Sequence, residues 1–197
     1  MKLVKMMEMD KKLKRAEVLA IASIAGTEVL NGREEGRKIF DKIVQRLESL
    51  SVDTLLPISF EGVKFLDYSC ADEIICRTVS RIRSRDIDSR FIIIQDASPT
   101  VEENILIALT TRETCCLLER VDKVEVIGKI SEPLRETYTF ALKKGVVTTG
   151  EVEKEFGLKV SACSNRLATL ESMGLIYKVE EGPTGRGGKR YLFRVVS

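Results

Sequence analysis

The sequence predicts an α/β domain with a mixed or mostly parallel sheet over residues 16–130, followed over 131–197 by a small domain of helices and two strands. Short apolar runs alternate with amphipathic helical patterns as far as residue 128, and that alternation is typical of α/β sheets. After 131–133 the order changes to three helices and then two strands. At 197 residues the chain is long enough for two domains, and residues 1–15 are left as an N-terminal extension.

Within the first domain, the spacing of apolar residues separates strands from helices. The predicted elements are, in order, a buried strand 17–26, a helix 31–50, a strand 54–60, a helix after the turn at 61–62, an inner strand 91–97, a helix 100–115 and a strand 123–128. The helix after the turn directs Arg77, Arg81, Arg83 and Arg85 largely away from its apolar face. Such a basic face is either a solvated surface, the commoner case, or a binding patch.

Composition limits the chemistry of this chain. It contains no histidine, which excludes the usual zinc-ligand sets, Ser-His triads and histidine acid–base pairs. The five cysteines form no CxxC pair, and their odd number and apolar surroundings indicate reduced, buried thiols. Cys115 and Cys116 cannot both face one core from a regular helix, so we expect one of them to be exposed.

No apolar run approaches the length of a membrane helix, and the N-terminus lacks the pattern of a signal peptide. We therefore expect a cytoplasmic protein without a membrane partner.

The second domain contains a helix-turn-helix pattern. Thr148 and Glu151 form a capping box at the start of its second helix, and Gly157 is placed to end that helix. Val147 and Val152 are spaced as a hydrophobic staple across the cap, and Ser161 is placed to cap the third helix. The predicted elements are helices 133–144, 149–156 and 161–173 and strands 175–180 and 190–196.

The third helix of this domain has two distinct faces. Val160, Cys163, Leu167 and Leu170 form a core stripe, so Cys163 is expected to be a packed small hydrophobe. The residues left facing outward are Ser161, Ser164, Asn165, Arg166 and Thr169. Asparagine and arginine can make bidentate hydrogen bonds to adenine and guanine edges, so this face is a candidate base reader.

The glycine-rich stretch EGPTGRGGKRY, residues 181–191, is not a nucleotide-binding P-loop. Pro183 stands where the first glycine of such a loop is required, Arg190 stands at the hydroxyl position, and an alternating strand follows instead of a helix. The stretch is therefore predicted to be a loop between antiparallel strands. Its cations Arg186, Lys189 and Arg190 are expected to contact a nucleic-acid backbone without reading its sequence.

The segment TTGEVEKEFGLKVSACSNRLATLESMGLI, with the strand, basic loop and strand after it, resembles the winged helix-turn-helix domains of prokaryotic transcription regulators. The resemblance implies a double-stranded DNA partner, with the third helix in the major groove. Charge agrees, because residues 159–197 hold seven lysines and arginines against three acidic residues, whereas residues 1–130 hold 21 against 22. Some winged helices bind only protein, which is the alternative.

The stretch SFEGVKFLDYSCADEIICRTV, residues 59–79, resembles the STAS-like family of unknown function, whose relatives are anti-sigma-factor antagonists. The resemblance covers about 30–128, departs from the family at Ser59, where relatives often have an aspartate, and implies a STAS-like domain that binds a protein or ligand. It rests on Phe60, Gly62, Val63, Ser69, Ala71, Asp72 and Glu73. The expected contact residues at the helix start are Asp67, Tyr68, Ser69, Asp72 and Glu73. Helix capping explains the same composition without any function, with Ser69 as an ordinary N-cap.

In the phosphorylated antagonists, the kinase target is the serine immediately after the aspartate. Here Tyr68 occupies that position and Ser69 follows one residue later. That shift turns the hydroxyl by about 100° around the helix, and the nearby carboxylates would repel a phosphate. We therefore expect no switching by phosphorylation of Ser69.

Together these patterns indicate a transcription regulator in which a STAS-like domain controls a winged helix-turn-helix reader, expected to act as a homodimer. The alternative is a partner-switching protein whose winged helix binds protein. A third possibility is a small-molecule effector domain, although the sequence identifies no pocket. No catalytic residues, cofactor or metal are expected.

Overall fold

The computed structural model describes residues 13–183 and 189–196, and side chains within these ranges except at 180–183 and 189–190. The chain divides into two compact units, Lys14–Ile130 and Ser131–Val196. The described residues contain no helix that is both long enough and apolar enough to span a membrane.

The first unit is a mixed α/β fold. The elements are β1 (Lys14–Arg15), β2 (Leu19–Ala20), α1 (Ile21–Ala25), β3 (Val29–Leu30), α2 (Arg33–Ser49), β4 (Thr54–Ser59), β5 (Phe65–Leu66), α3 from Tyr68 to Arg83, β6 (Arg90–Gln95), α4 (Pro99–Thr111), β7 (Cys115–Glu119) and β8 (Val124–Gly128). The sheet is mostly parallel: β4 pairs with β6 and β6 with β7 in parallel, both β1 and β2 run parallel to β4, and β8 is antiparallel to β7. A separate short parallel pair joins β3 to β5.

The helix α3 is not uniform. It begins as an α-helix over Tyr68–Ala71, widens to a π-helix over Asp72–Cys76 and returns to an α-helix over Arg77–Arg83. Segments of π-helix are rare in proteins, and those that do occur often lie at functional sites.

Pro57 in β4 explains why the edge of the sheet consists of two short strands. The carbonyl of Leu55 accepts a hydrogen bond from the Ala16 amide on the edge side, whereas the Phe60 amide donates to Gln95 on the inner side. Backbone groups of successive residues point to opposite sides of a strand, so Pro57, two residues after Leu55, directs its nitrogen to the same edge, between β1 and β2. Proline has no N–H to donate, and the ladder is interrupted there.

The prediction of a strand over 17–26 is wrong for most of that segment. The strand is limited to Leu19–Ala20, and Ile21–Ala25 forms a short helix that ends at Gly26, which has a left-handed φ of 68°. Ile21 and Ile24 lie three residues apart, so one helix face carries both toward the core. A short apolar run fits either a strand or a helix, and here packing favours the helix.

The predicted helix 100–115 extends too far. The helix α4 ends at Thr111, and Cys115 begins an inner strand. Cys115 and Cys116 are both buried, at 1% and 4% exposure, so the prediction that one thiol is exposed is wrong. In a strand, adjacent side chains point to opposite faces, and neither of these two faces is open to solvent. All five cysteines are buried, and none of them forms a disulfide.

The core of the first unit packs α2, α3 and α4 against the sheet. The helix α2 buries Ile39, Phe40, Ile43 and Leu47. On the same helix, a Cβ added at Gly36 would lie 2.8 Å from the Cβ of Glu73 and 3.1 Å from the Cα of Cys70. Glycine at this position therefore allows α2 and α3 to approach closely.

The described residues of the second unit form three helices and three strands. The elements are α5 (Glu132–Lys144), β9 (Val146–Val147), α6 (Thr149–Phe156), α7 (Val160–Ser172), β10 (Ile176–Pro183) and β11 (Lys189–Val195). The strands form an antiparallel sheet in the order β10-β11-β9. The capping box of Thr148 and Glu151 is confirmed, and Gly157 ends its helix with a φ of 62°. The predicted Ser161 cap is wrong: α7 begins at Val160, and Lys159 precedes it without a side-chain cap.

We expect Gly36→Ala to destabilise the first unit, although alanine is the better helix former. Overpacking against Cys70 and Glu73 costs about 1–3 kcal/mol, which outweighs a helix-propensity gain of at most about 1 kcal/mol. Urea denaturation monitored by circular dichroism measures the change. Gly150→Ala on α6 is the control, because no atom lies within 4 Å of the added Cβ and the variant should be neutral or slightly more stable. A Gly36→Ala protein as stable as the wild type would contradict the close approach.

Candidate functional site

The outward face of α7 is partly as predicted. Ser161, Ser164 and Asn165 are exposed. Thr169 is half-buried, and its hydroxyl donates to the Asn165 carbonyl at 2.8 Å. The face that α7 offers to a partner is therefore centred on its first two turns.

Arg166 is engaged inside the second unit. Its Nη1 donates to the Thr137 hydroxyl on α5 at 3.3 Å, and its guanidinium carbon lies 5.5 Å from the centre of the Phe156 ring on α6. Its side chain therefore connects α7 to the two helices before it. This position suits a residue that orients α7 better than one that reads bases.

The opposite face of α7 forms the core of the unit. Cys163, Leu167 and Leu170 are fully buried, as predicted. Val160 is 53% exposed, so its assignment to the core stripe is wrong. It is the first residue of the helix and precedes the first packed turn.

The predicted hairpin is present. β10 and β11 pair antiparallel from Ile176 opposite Val195 to Pro183 opposite Lys189. Lys189 and Arg190 begin β11, but their side chains are not described, and Arg186 lies outside the described residues. The contacts expected from these three cations remain a prediction.

Asp67, not Ser69, caps α3. One oxygen of its carboxylate accepts from the Cys70 amide at 2.6 Å, and the other accepts from the Gly32 amide at 2.8 Å, just before α2. A single carboxylate thus joins the starts of two helices. The prediction of Ser69 as the N-cap is wrong, because Asp67 already satisfies the free amide of the first turn.

Asp72 and Glu73 are buried, at 1% and 5% exposure, rather than displayed for a partner. Arg112, the C-cap of α4, donates to Asp72 from Nε at 2.7 Å and from Nη2 at 2.6 Å. Arg33 bridges both acids, at 3.1 Å from Asp72 and 3.0 Å from Glu73, and Arg77 also pairs with Glu73. We call these five residues the carboxylate–arginine cluster.

The charges of the cluster are reflected in its pKa values. Hydrogen bonds from Arg112 hold the pKa of Asp72 below its ordinary value, although burial opposes them. Burial raises the pKa of Glu73, but hydrogen bonds from Arg77 and Arg33 outweigh it and the net direction is downward. Both carboxylates therefore remain ionised at neutral pH, as the paired guanidinium groups require.

The remaining predicted contact residues offer little surface. Tyr68 is half-buried and packs against the core instead of projecting, and Ser69 and Asp67 are also half-buried. Arg33, Arg77 and Arg112 were not predicted to be partners of Asp72 and Glu73. Only Arg77, four residues after Glu73 on the same helix, could have been found from spacing.

Among the described residues, no group of three or more cysteine, aspartate or glutamate side chains is arranged to hold a metal ion.

Comparison with known proteins identifies no family for this chain. No protein-family model and no curated protein matches the chain. Among solved structures, it is similar to a chain described as a possible transcriptional regulator from Methanosarcina mazei Go1, with 14% sequence identity and a TM-score of 0.32. That match covers 42% of this chain and 75% of the other. A TM-score this low shows neither a common fold nor a common function.

We expect Asp72→Asn to lower the free energy of unfolding by about 1.5–3 kcal/mol at pH 7, because the hydrogen bonds from Arg112 and Arg33 lose their anionic acceptor. The folded-state pKa of Asp72 lies below its unfolded value of about 3.9. Its contribution is thus present above about pH 4 and is lost as the pH falls through the folded-state pKa.

Urea denaturation of the wild type and Asp72→Asn between pH 7 and pH 3 tests this. The free energies of unfolding of the two proteins should converge as the pH falls. A difference that does not depend on pH would contradict the role of the Asp72 charge. Asp41→Asn, at an exposed position on α2, is the control and should change stability little at any pH.

Proposed function

We propose that the chain is a DNA-binding transcription regulator, in which a STAS-like unit, residues 14–130, controls a winged helix-turn-helix unit, residues 131–196. We propose also that it binds as a homodimer, with one α7 in each half-site. The proposal assigns it no catalytic activity.

The observation that carries the proposal is the division of α7 into a packed face and an open face. Cys163, Leu167 and Leu170 fix the helix in the unit, while Ser161, Ser164 and Asn165 remain exposed on its first two turns. An exposed asparagine on a rigidly held helix is suited to bidentate contact with adenine in a major groove. The antiparallel hairpin after α7 supports the role of a wing.

Charge supports a nucleic-acid partner more than a protein partner. Residues 159–197 carry seven lysines and arginines against three acidic residues. Three of these cations are Lys189 and Arg190, which begin β11, and Arg186, which lies outside the described residues. Contact of these cations with phosphates would give affinity without sequence preference.

The contacts of Arg166 change its proposed role. A guanidinium that holds α7 against α5 and α6 positions the helix for reading, because any tilt of α7 would move Asn165 relative to the bases. The proposed reader is therefore smaller than the sequence suggested, with Asn165 as its central side chain.

We expect the purified protein to bind double-stranded DNA with an affinity that falls steeply as salt increases. Sequencing of the genomic fragments that it retains would identify a preferred site, and fluorescence anisotropy with that site and a random duplex would measure affinity and salt slope. Absence of duplex binding at low salt would contradict the proposal and favour a partner-switching protein whose winged helix binds protein.

Asn165→Ala and Arg166→Ala should differ in effect. Loss of Asn165 should cost about 1–3 kcal/mol on the preferred site and little on random DNA, because only base contact is removed. Loss of Arg166 should weaken both duplexes alike and lower the stability of the second unit, because α7 loses its contacts with Thr137 and Phe156. Asn104→Ala, at a half-buried position on α4 in the first unit, is the control and should leave both affinities unchanged. Equal losses on both duplexes for Asn165→Ala would show that α7 does not read bases.

A further inference from the structure

The first unit contains a cleft of about 480 Å³ beside the carboxylate–arginine cluster. One wall is the second half of α3, which contributes Arg77, Ser80 and Arg83. The opposite wall is the connection from α4 to β7, which contributes Arg112 and Thr114. A volume of this size falls within the range of small-molecule sites, about 300–1,000 Å³.

The lining of the cleft is positively charged. It includes three arginines against one carboxylate, that of Asp72, which Arg112 and Arg33 already neutralise. Cys76 also lines the cleft, and burial raises the pKa of its thiol to about 12, so it adds no negative charge at neutral pH. The uncompensated charge therefore favours an anionic occupant.

Buried partners hold two of the arginines in place. Arg112 uses Nε and Nη2 for Asp72, and Arg77 uses Nη1 for Glu73 while lying 4.2 Å from the centre of the Phe40 ring. A guanidinium carries five N–H groups, so each retains donors for a ligand. The two side chains are 53% and 43% exposed, which leaves these donors accessible.

Of the three arginines that line the cleft, Arg83 is the one least neutralised by carboxylates. Its Nη1 donates to the Thr114 hydroxyl at 2.9 Å, and no carboxylate pairs with it in the described part of the chain. Thr114 is buried and fixes the direction of the guanidinium without neutralising it. The arrangement is a pre-oriented, uncompensated guanidinium beside two others.

We propose that this cleft binds a small phosphate-bearing molecule, with its phosphate against Arg83 and the free edges of Arg77 and Arg112. Three guanidinium groups suit a dianion, because arginine matches phosphate oxygens with paired, charge-assisted hydrogen bonds. The hydroxyls of Ser80 and Ser84 supply further donors at the rim. This proposal concerns the first unit alone and does not depend on DNA binding.

Isothermal titration calorimetry of the full chain with ribose 5-phosphate tests the proposal, with ribose as the uncharged comparison. We expect the phosphate ester to bind and ribose not to bind. Arg83→Gln should weaken binding about tenfold or more, since it removes a charge-assisted contact. Arg85→Gln is the matched control, because Arg85 is exposed, lies two residues further along and does not line the cleft; it should bind within twofold of the wild type.

Ser80→Asp provides a second variant at an exposed position, where a negative charge should abolish binding without affecting folding. Absence of binding by the wild type at millimolar ligand would overturn the proposal. Equal weakening by Arg83→Gln and Arg85→Gln, or no weakening by Arg83→Gln and Ser80→Asp, would overturn it as well, because the ligand would then bind elsewhere.

Discussion

The packing of the first unit depends on the neutralisation of two buried carboxylates. Asp72 and Glu73 belong to α3, while their arginine partners come from the start of α2, from α3 itself and from the end of α4. A buried charge without a partner is strongly unfavourable, so these three helices must keep their mutual positions while the acids are ionised. The absence of a side chain at Gly36 allows the required approach of α2. Two of these arginines, Arg77 and Arg112, also line the cleft.

Much of the fold could be predicted because its signals are local. The long periodic helix α2, the inner strands β4 and β6, and the capping box of α6 all lie where the spacing of residues indicated. The two segments whose secondary structure was predicted wrongly are short apolar runs. In segments 17–26 and 112–119, periodicity alone does not distinguish a strand from a helix turn, and the outcome was decided by packing against distant residues. The burial of both Cys115 and Cys116 follows from that outcome.

The candidate site was less predictable, since its partners are far apart in the sequence. Asp72 and Glu73 were conspicuous at a helix start, but Arg33 and Arg112 lie about forty residues away on either side. Arg166 illustrates the same limit: its partners Thr137 and Phe156 are on other helices, so helical spacing assigned it to the open face. Where only the face of a helix mattered, as for Asn165, the sequence sufficed.

The π segment of α3 has a consequence for how related chains can be compared. A π turn contains about one more residue than an α turn, so it shifts the register of the residues that follow it by about one position, or about 100° around the helix. Asp72 and Glu73 lie side by side in that segment and are buried together. In a homologue shortened by one residue here, the regular helix would turn the residues before the deletion by about 100° relative to Arg77 and Arg83, even if both acids were retained. The length of this segment is therefore as informative as its composition when other chains are inspected for the same cluster.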